Sequence, residues 1–199
     1  SRTHTGFIIK QFEMELPEIS EAIIKVISAA SEPGETEKIS VYSSSRDVDP
    51  VGACVGMRGS RVQNVVQELR GERIDIIPWA QDQAKYVCSG LAPAKISRVY
   101  IDEGNRHMEV VVADDQLSLA IGKKGQNVRL ASKLTGWKID IKSESKMEKI
   151  SGEILEKFKG LPHIGDGGSR VLYNEGFRSI NELSEVDPEE LAKVLGIEK

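Results

Sequence analysis

Val55-Gly56-Met57-Arg58-Gly59-Ser60-Arg61-Val62 decides how this chain reads, because Ile121-Gly122-Lys123-Lys124-Gly125-Gln126-Asn127-Val128 repeats it. Each stretch is a Gly-X-X-Gly loop between two short apolar-periodic segments. Ahead of the first loop, Val51, Cys54 and Val55 fall at i, i+3 and i+4, with Asp49 placed as an N-cap and Pro50 suited to the first helical turn. Behind it, Val62, Val65, Val66 and Leu69 lie on one face of a second helix. The glycines mark the reversal between the helices. Without a side chain, the backbone there turns sharply and admits a ligand at close range. The N–H groups released at the turn, with the N-terminal end of the second helix, suit a phosphate.

The second copy follows element by element. Asp115 stands for Asp49, while Leu117, Ala120 and Ile121 stand for Val51, Cys54 and Val55. Both second helices are expected to end at a glycine, Gly71 or Gly136, and to lead into an alternating strand, Ile74-Asp75-Ile76 or Ile139-Asp140-Ile141. A lone Gly-X-X-Gly is weak, but a duplicated helix, loop, helix, glycine and strand series is specific. It is the arrangement by which a KH module clamps the backbone of about four nucleotides.

The chain has 199 residues, room for two or three small domains, and 39% hydrophobic with 29% charged residues suits soluble globular protein. No apolar run approaches the roughly 20 residues of a membrane span. Cys54 and Cys88 lack CXXC spacing, so buried free thiols in a reducing cytoplasm are expected. His4, His107 and His163 are scattered, and neither a metal nor a cofactor is assigned. The net charge of −4 argues against nucleic acid, yet its distribution does not. Arg58 and Arg61 cluster at the first loop, and Lys123, Lys124, Arg129 and Lys133 at the second. Glu182, Glu185, Asp187, Glu189 and Glu190 gather near the C-terminus. The opening Ser1-Arg2-Thr3-His4 resembles no secretory signal, and the chain is expected to begin at an internal boundary.

In chain order, Phe7 to Leu16 reads as an amphipathic helix that Pro17 ends. Ile19 to Ala30 permits a helix or a strand; its β-branched residues and the turn Glu32-Pro33-Gly34-Glu35 before Lys38–Tyr42 favour a hairpin. After Pro78-Trp79-Ala80, Asp82 starts a helix, and strands over Ile96–Ile101 and Met108–Val112 flank the turn Asp102-Glu103-Gly104-Asn105. The fold class expected is α+β, with domains over residues 1–80, 81–143 and 144–199. So short a connection predicts that the first two domains pack together into one continuous RNA path. From Ser143 the pattern is purely helical, with a stripe of Ile150, Ile154, Leu155 and Phe158, a tight connection at Leu161–Gly165, an apolar face from Val171 and Leu172, and a last helix capped by Asp187-Pro188 and stopped at Gly196.

The order helix, strand, strand, helix, helix, strand, occurring twice, resembles the bacterial type II KH fold. Two such modules in tandem resemble the NusA family of transcription elongation and termination factors. The wording that carries this is Phe12-Glu13-Met14-Glu15-Leu16-Pro17-Glu18-Ile19, Asp49 to Gly59, and Leu119 to Ala131. The resemblance implies a regulator, not an enzyme, that binds the nascent transcript and RNA polymerase with other transcription factors and modulates pausing, termination and antitermination; a cytoplasmic location is expected from the free thiols, and a monomer because no coiled-coil repeat argues for assembly. In that family a polymerase-binding domain and an OB-fold domain precede the KH pair. The C-terminal part resembles a helix-hairpin-helix domain, with His163 standing where that motif has its first glycine and Gly167-Gly168 expected to interrupt the start of its second helix. Protein contact, autoregulatory packing and nucleic-acid binding all remain open for it.

The candidate RNA-binding residues are Gly56, Met57, Arg58, Gly59, Ser60 and Arg61 in the first module, and Gly122, Lys123, Lys124, Gly125, Gln126, Asn127 and Arg129 in the second. Arg58, Lys123 and Lys124 would attract phosphate; Ser60, Arg61, Gln126, Asn127 and Arg129 would add contacts from the following helices. Val62, Val65, Val128 and Ala131 are expected in the core, as are Trp79 and Trp137. An enzymatic reading is poor: Gly122-Lys123-Lys124-Gly125 lacks P-loop spacing, and Asp114-Asp115 reads as helix capping. The other alternative is a protein-interaction scaffold in which the acidic C-terminal domain contacts polymerase or another factor.

Overall fold

Parallel strands need a long crossover between them, and in this chain that crossover is the helix-loop-helix. In the computed structural model, which describes residues 5–32 and 36–196, the first module runs α1 (Thr5–Glu15), α2 (Pro17–Ser20), β1 (Ile24–Glu32), β2 (Thr36–Ser43), α3 (Pro50–Val55), α4 (Ser60–Glu68) and β3 (Arg73–Pro78). The second runs α5 (Gln83–Gly90), β4 (Arg98–Asp102), β5 (His107–Val112), α6 (Leu117–Ile121), α7 (Gln126–Thr135) and β6 (Lys138–Ser143). In each three-stranded sheet the middle strand pairs antiparallel with the strand before it and parallel with the strand after the crossover. These are two KH folds in tandem, and a helical part follows.

The hairpin reading of the entry holds, with a correction. Pro17 opens the short helix α2, which takes Ile19 out of the strand. Most of the expected turn, residues 33–35, lies outside the described residues, as does His4. Asp49 caps α3 by accepting from the Val51 N–H, but Asp115 does not repeat this. It falls inside a short 3-10 turn, Asp114–Gln116, and α6 follows Gln116 without a side-chain cap. Gly136 terminates α7 in left-handed geometry. By contrast α4 ends at Glu68, before Gly71, because Arg70 already turns left-handed. The second hairpin's first strand starts at Arg98 rather than Ile96. Cys54 is buried, which pushes its thiol up to about 12, whereas Cys88 is only half-buried.

One face of each sheet carries its own helices. Ile8, Phe12, Leu16, Ile24, Ile39, Val41, Cys54, Val65 and Leu69 form the first core. Val87, Leu91, Met108, Val110, Val112, Ala120, Ala131 and Trp137 build the second. The other face of the first sheet is also covered, by α7 of the second module. Ala30 and Ile77 from that sheet meet Tyr86, Leu130 and Leu134, and a fully buried leucine contributes about 1.5–3 kcal/mol over an exposed one. Helix α7 is therefore apolar on two sides, with Val128 and Ala131 toward its own sheet and Leu130 and Leu134 toward its neighbour's.

Polar residues on that face are buried with partners. Lys38, with no exposed surface, donates to Asp75 Oδ2 at 3.1 Å and to the Ala92 carbonyl at 3.2 Å. The Tyr86 hydroxyl lies 2.8 Å from Ser40 Oγ. At the margin, Glu32 accepts from Arg129 Nε at 2.6 Å and Lys133 Nζ at 3.4 Å, and the Arg129 bond holds the Glu32 carboxyl below its usual range. Trp137 packs as expected, donating to Gln83 Oε1, and Trp79 sits edge-on to Tyr42 and Tyr86.

By its packing the chain divides into two compact units, Ser1–Ser143 and Glu144–Lys199. The second contains α8 (Glu144–Lys159), α9 (Gly165–Asn174), α10 (Ile180–Glu185) and α11 (Pro188–Leu195), with Ile154, Phe158, Leu172 and Leu183 at its centre. Gly167-Gly168 does not interrupt α9: the helix runs through both, and Gly168 permits close packing, since a Cβ there would lie 3.0 Å from Ile164 Cγ2. His163 has φ +67°, a conformation that favours glycine. Val171 is exposed while Leu172 is buried. Helix α10 is capped by Ser179, which accepts from the Glu182 N–H, as its Ser-X-X-Glu spacing announces.

Glu37 is buried on β2 beside Glu72, and burial first, then the Glu72 carboxylate, pushes it up to about 7 despite a hydrogen bond from Ser31. A carboxyl raised by folding favours the folded state while protonated, so its contribution is fully present below the ordinary value of 4.5 and is lost as pH rises from there through about 7. Denaturant unfolding is expected to show Glu37→Gln near wild type at about pH 4 and about 3 kcal/mol more stable than wild type at about pH 8.

Candidate nucleic-acid interface

Both loops hold the same backbone path with different residues. Helix α3 ends at Gly56, φ +74°, and α6 at Gly122, φ +76°. A Cβ on Gly56 would stand 3.0 Å from the Arg61 backbone nitrogen, and one on Gly122 only 2.7 Å from that of Asn127. The first turn of the following helix thus packs directly on the glycine backbone. Gly59 and Gly125, φ +79° and +74°, take the N-cap positions of α4 and α7. Having no side chain, they leave the first helical N–H groups without side-chain caps, the state in which a helix start accepts an anion.

Between the glycines, Arg58 (φ +53°, ψ +27°) and Lys124 (φ +54°, ψ +28°) are left-handed. That geometry costs a non-glycine residue about 1–2 kcal/mol, and it occurs at the same place in both copies. Met57, Arg58, Lys123 and Lys124 are exposed. The side chains of Arg58, Lys123 and Lys124 make no hydrogen bond or ion pair among the described residues. Ser60 and Gln126 start the two helices, the first exposed and the second half-buried.

Three expected contact residues are occupied within the protein. Arg61 donates through Nη1 to Glu18 Oε1 and to the Ala53 carbonyl, both at 3.0 Å. Asn127, its counterpart, donates through Nδ2 to the carbonyls of Leu91 and Ala120, both at 3.0 Å. Each ties the second helix back to the end of the first, one by a guanidinium and the other by an amide. Arg129 is bonded to Glu32 and, through Nη1, to the Lys124 carbonyl at 3.2 Å. It therefore links the loop to the module junction. Sequence reasoning missed Glu18 and Glu32, because their partners are 43 and 97 residues away. Among the described residues no three His, Cys, Asp or Glu side chains converge on a point that could hold a metal ion.

Comparison with known proteins gives the same two modules. The NusA-like first KH domain matches residues 2–79, and the NusA-like second KH domain matches residues 83–149. The transcription termination/antitermination protein NusA of Halalkalibacterium halodurans is 53% identical over 150 residues, which cover 75% of this chain and 39% of that protein. Its counterpart from Rickettsia prowazekii is 41% identical over 100% of this chain and 41% of its own length. That of Borreliella burgdorferi is 43% identical over 94% of this chain and 39% of its own length. The chain thus spans about two fifths of the curated relatives it matches. In fold alone it is similar to the crystal structure of APE1850, with a TM-score of 0.51 and 21% identity over 67% of this chain and 96% of that one.

The loop geometry sets two expectations for stability, each read from denaturant midpoints. Gly71 has φ +88° but open space around it, so Gly71→Ala should cost about 1–2 kcal/mol. Gly122→Ala adds a collision with backbone and should cost more than that; equal costs would mean the close approach is unimportant. Arg61→Ala, which loses two bonds, should cost about 1 kcal/mol, while Arg58→Ala should change stability by less than about 0.5 kcal/mol.

Proposed function

Because the chain belongs to the NusA family, we propose that its two KH modules grip a single strand of RNA, as part of a bacterial factor that acts with RNA polymerase in transcription elongation, termination and antitermination. The observation that carries this reading is the recurrence, in both loops, of an exposed cation held left-handed between two positive-φ glycines, ahead of a helix start without side-chain caps. Such a loop offers N–H groups to a phosphate and a mobile charge beside it. The relatives named as transcription termination/antitermination proteins supply the wider role.

In this mechanism the backbones of Gly56 to Gly59 and Gly122 to Gly125 hold sugar-phosphate, with Arg58, Lys123 and Lys124 neutralising charge. Ser60 and Gln126 add polar contacts at the helix starts. Arg61, Asn127 and Arg129 act by positioning the loops, given the bonds they already make. The protein works by binding rather than turnover, as a cytoplasmic monomer. Residues 1–80, 81–143 and 144–199 serve as three domains, and the last, helix-hairpin-helix-like, contacts protein. Its exposed Glu185, Asp187 and Glu190 favour a basic protein surface over phosphate.

Equilibrium binding of single-stranded RNA, matched single-stranded DNA and duplex RNA across a salt series tests this. Four phosphate contacts at a single-strand slope near −0.7 each predict roughly fiftyfold weaker binding between about 50 and 200 mM salt. A folded R58D/K123D/K124D variant should lose the preference for single-stranded RNA and most of the salt dependence. Unchanged binding by that variant would refute the loop assignment and favour a scaffold.

A further inference from the structure

Beside the second loop, a cleft of about 280 Å³ opens between the modules. One wall is the second loop and helix start, Gly122, Lys123 and Gln126; the other belongs to the first module's sheet, Thr36, Arg73 and Asp75. The carboxylate in that wall is already satisfied. Asp75 accepts from buried Lys38 at 3.1 Å and from Arg73 Nε at 3.0 Å, so its carboxylate is already neutralised. Arg73 spends only its Nε on that bond; its side chain is 64% exposed, and its two Nη groups have no acceptor among the described residues. Lys123, across the cleft, is likewise unpaired. Two cationic side chains from different modules therefore line one cavity, Arg73 with its Nη groups and Lys123 with its ammonium unbonded among the described residues, and the Asp75 carboxylate in the same lining is already bound.

We propose that this cleft seats one nucleotide of the strand held at the second loop, with Arg73 of the first module and Lys123 of the second sharing its phosphate. This rests on the RNA reading above and adds a residue outside both loops. Here the junction between modules is itself a contact site, and the strand is read by both modules at one nucleotide. A guanidinium fork with two unoccupied Nη donors suits a phosphate better than a point charge does.

The test uses the whole chain and a randomised pool of single-stranded RNA. Folded Arg73→Gln, checked by its unfolding midpoint, should reduce the salt slope by about 0.7, equivalent to roughly fivefold weaker binding at about 0.1 M salt. Arg73→Lys, which keeps the charge, should restore the slope. Independently of any variant, RNA carrying 4-thiouridine should crosslink the wild-type chain at both the peptide containing Arg73 and the peptide containing Lys123. Unchanged slope in Arg73→Gln, or crosslinks confined to the loop peptides, would overturn the cleft while leaving loop binding intact. Loss of loop dependence as well, with K123D/K124D binding normally, would instead remove the RNA reading on which the cleft rests.

Discussion

The polar face of β2 can be buried only because α7 of the second module lies across it. A sheet with one face on its own helices normally leaves the other to water; here Lys38 and Ser40 occupy that second face and are fully enclosed. Lys38 is tolerable there because Asp75 and the Ala92 carbonyl accept its hydrogen bonds. Removing either neighbour would strand a charge in the interior, which is far costlier than losing a surface pair. The junction is thus specified by hydrogen bonds as much as by Leu130 and Leu134.

The same helix carries the second loop at its N-terminus. Its first turn is pressed on Gly122, its Arg129 reaches both the loop carbonyl of Lys124 and Glu32 of the other module, and its middle fills the junction. Module packing and the geometry of the second loop are therefore coupled along ten residues, Gln126–Thr135. A loop anchored this way pays little ordering entropy when a ligand arrives, a condition that favours affinity.

Comparing the two copies separates what the loop requires from what it tolerates. Both retain glycines of positive φ at either end and a left-handed cation between them. The residue closing the loop changes from Arg61 to Asn127, yet both side chains donate to a carbonyl at the end of the preceding helix. Helix capping differs more freely, with Asp49 acting as a cap and Asp115 not. What the two copies share is the backbone path; the side chains that enforce it differ between them.

Local periodicity and glycine spacing by themselves determined the helix-loop-helix pairs, the strands after them, the duplication and the helical character of the final 56-residue unit, Glu144–Lys199, because these depend on neighbours within a few turns of chain. The loop cations were legible for the same reason: Arg58, Lys123 and Lys124 lie within the motif. Only the tertiary structure decided that Arg61, Asn127 and Arg129 are engaged internally, that Lys38 is buried, and that Arg73 faces Lys123 across a cleft. Each of these rests on a partner distant in sequence, and alternation alone reads a lysine or serine on a strand as facing water. Whether such a side chain meets solvent, carboxylate or carbonyl is set by what packs over it.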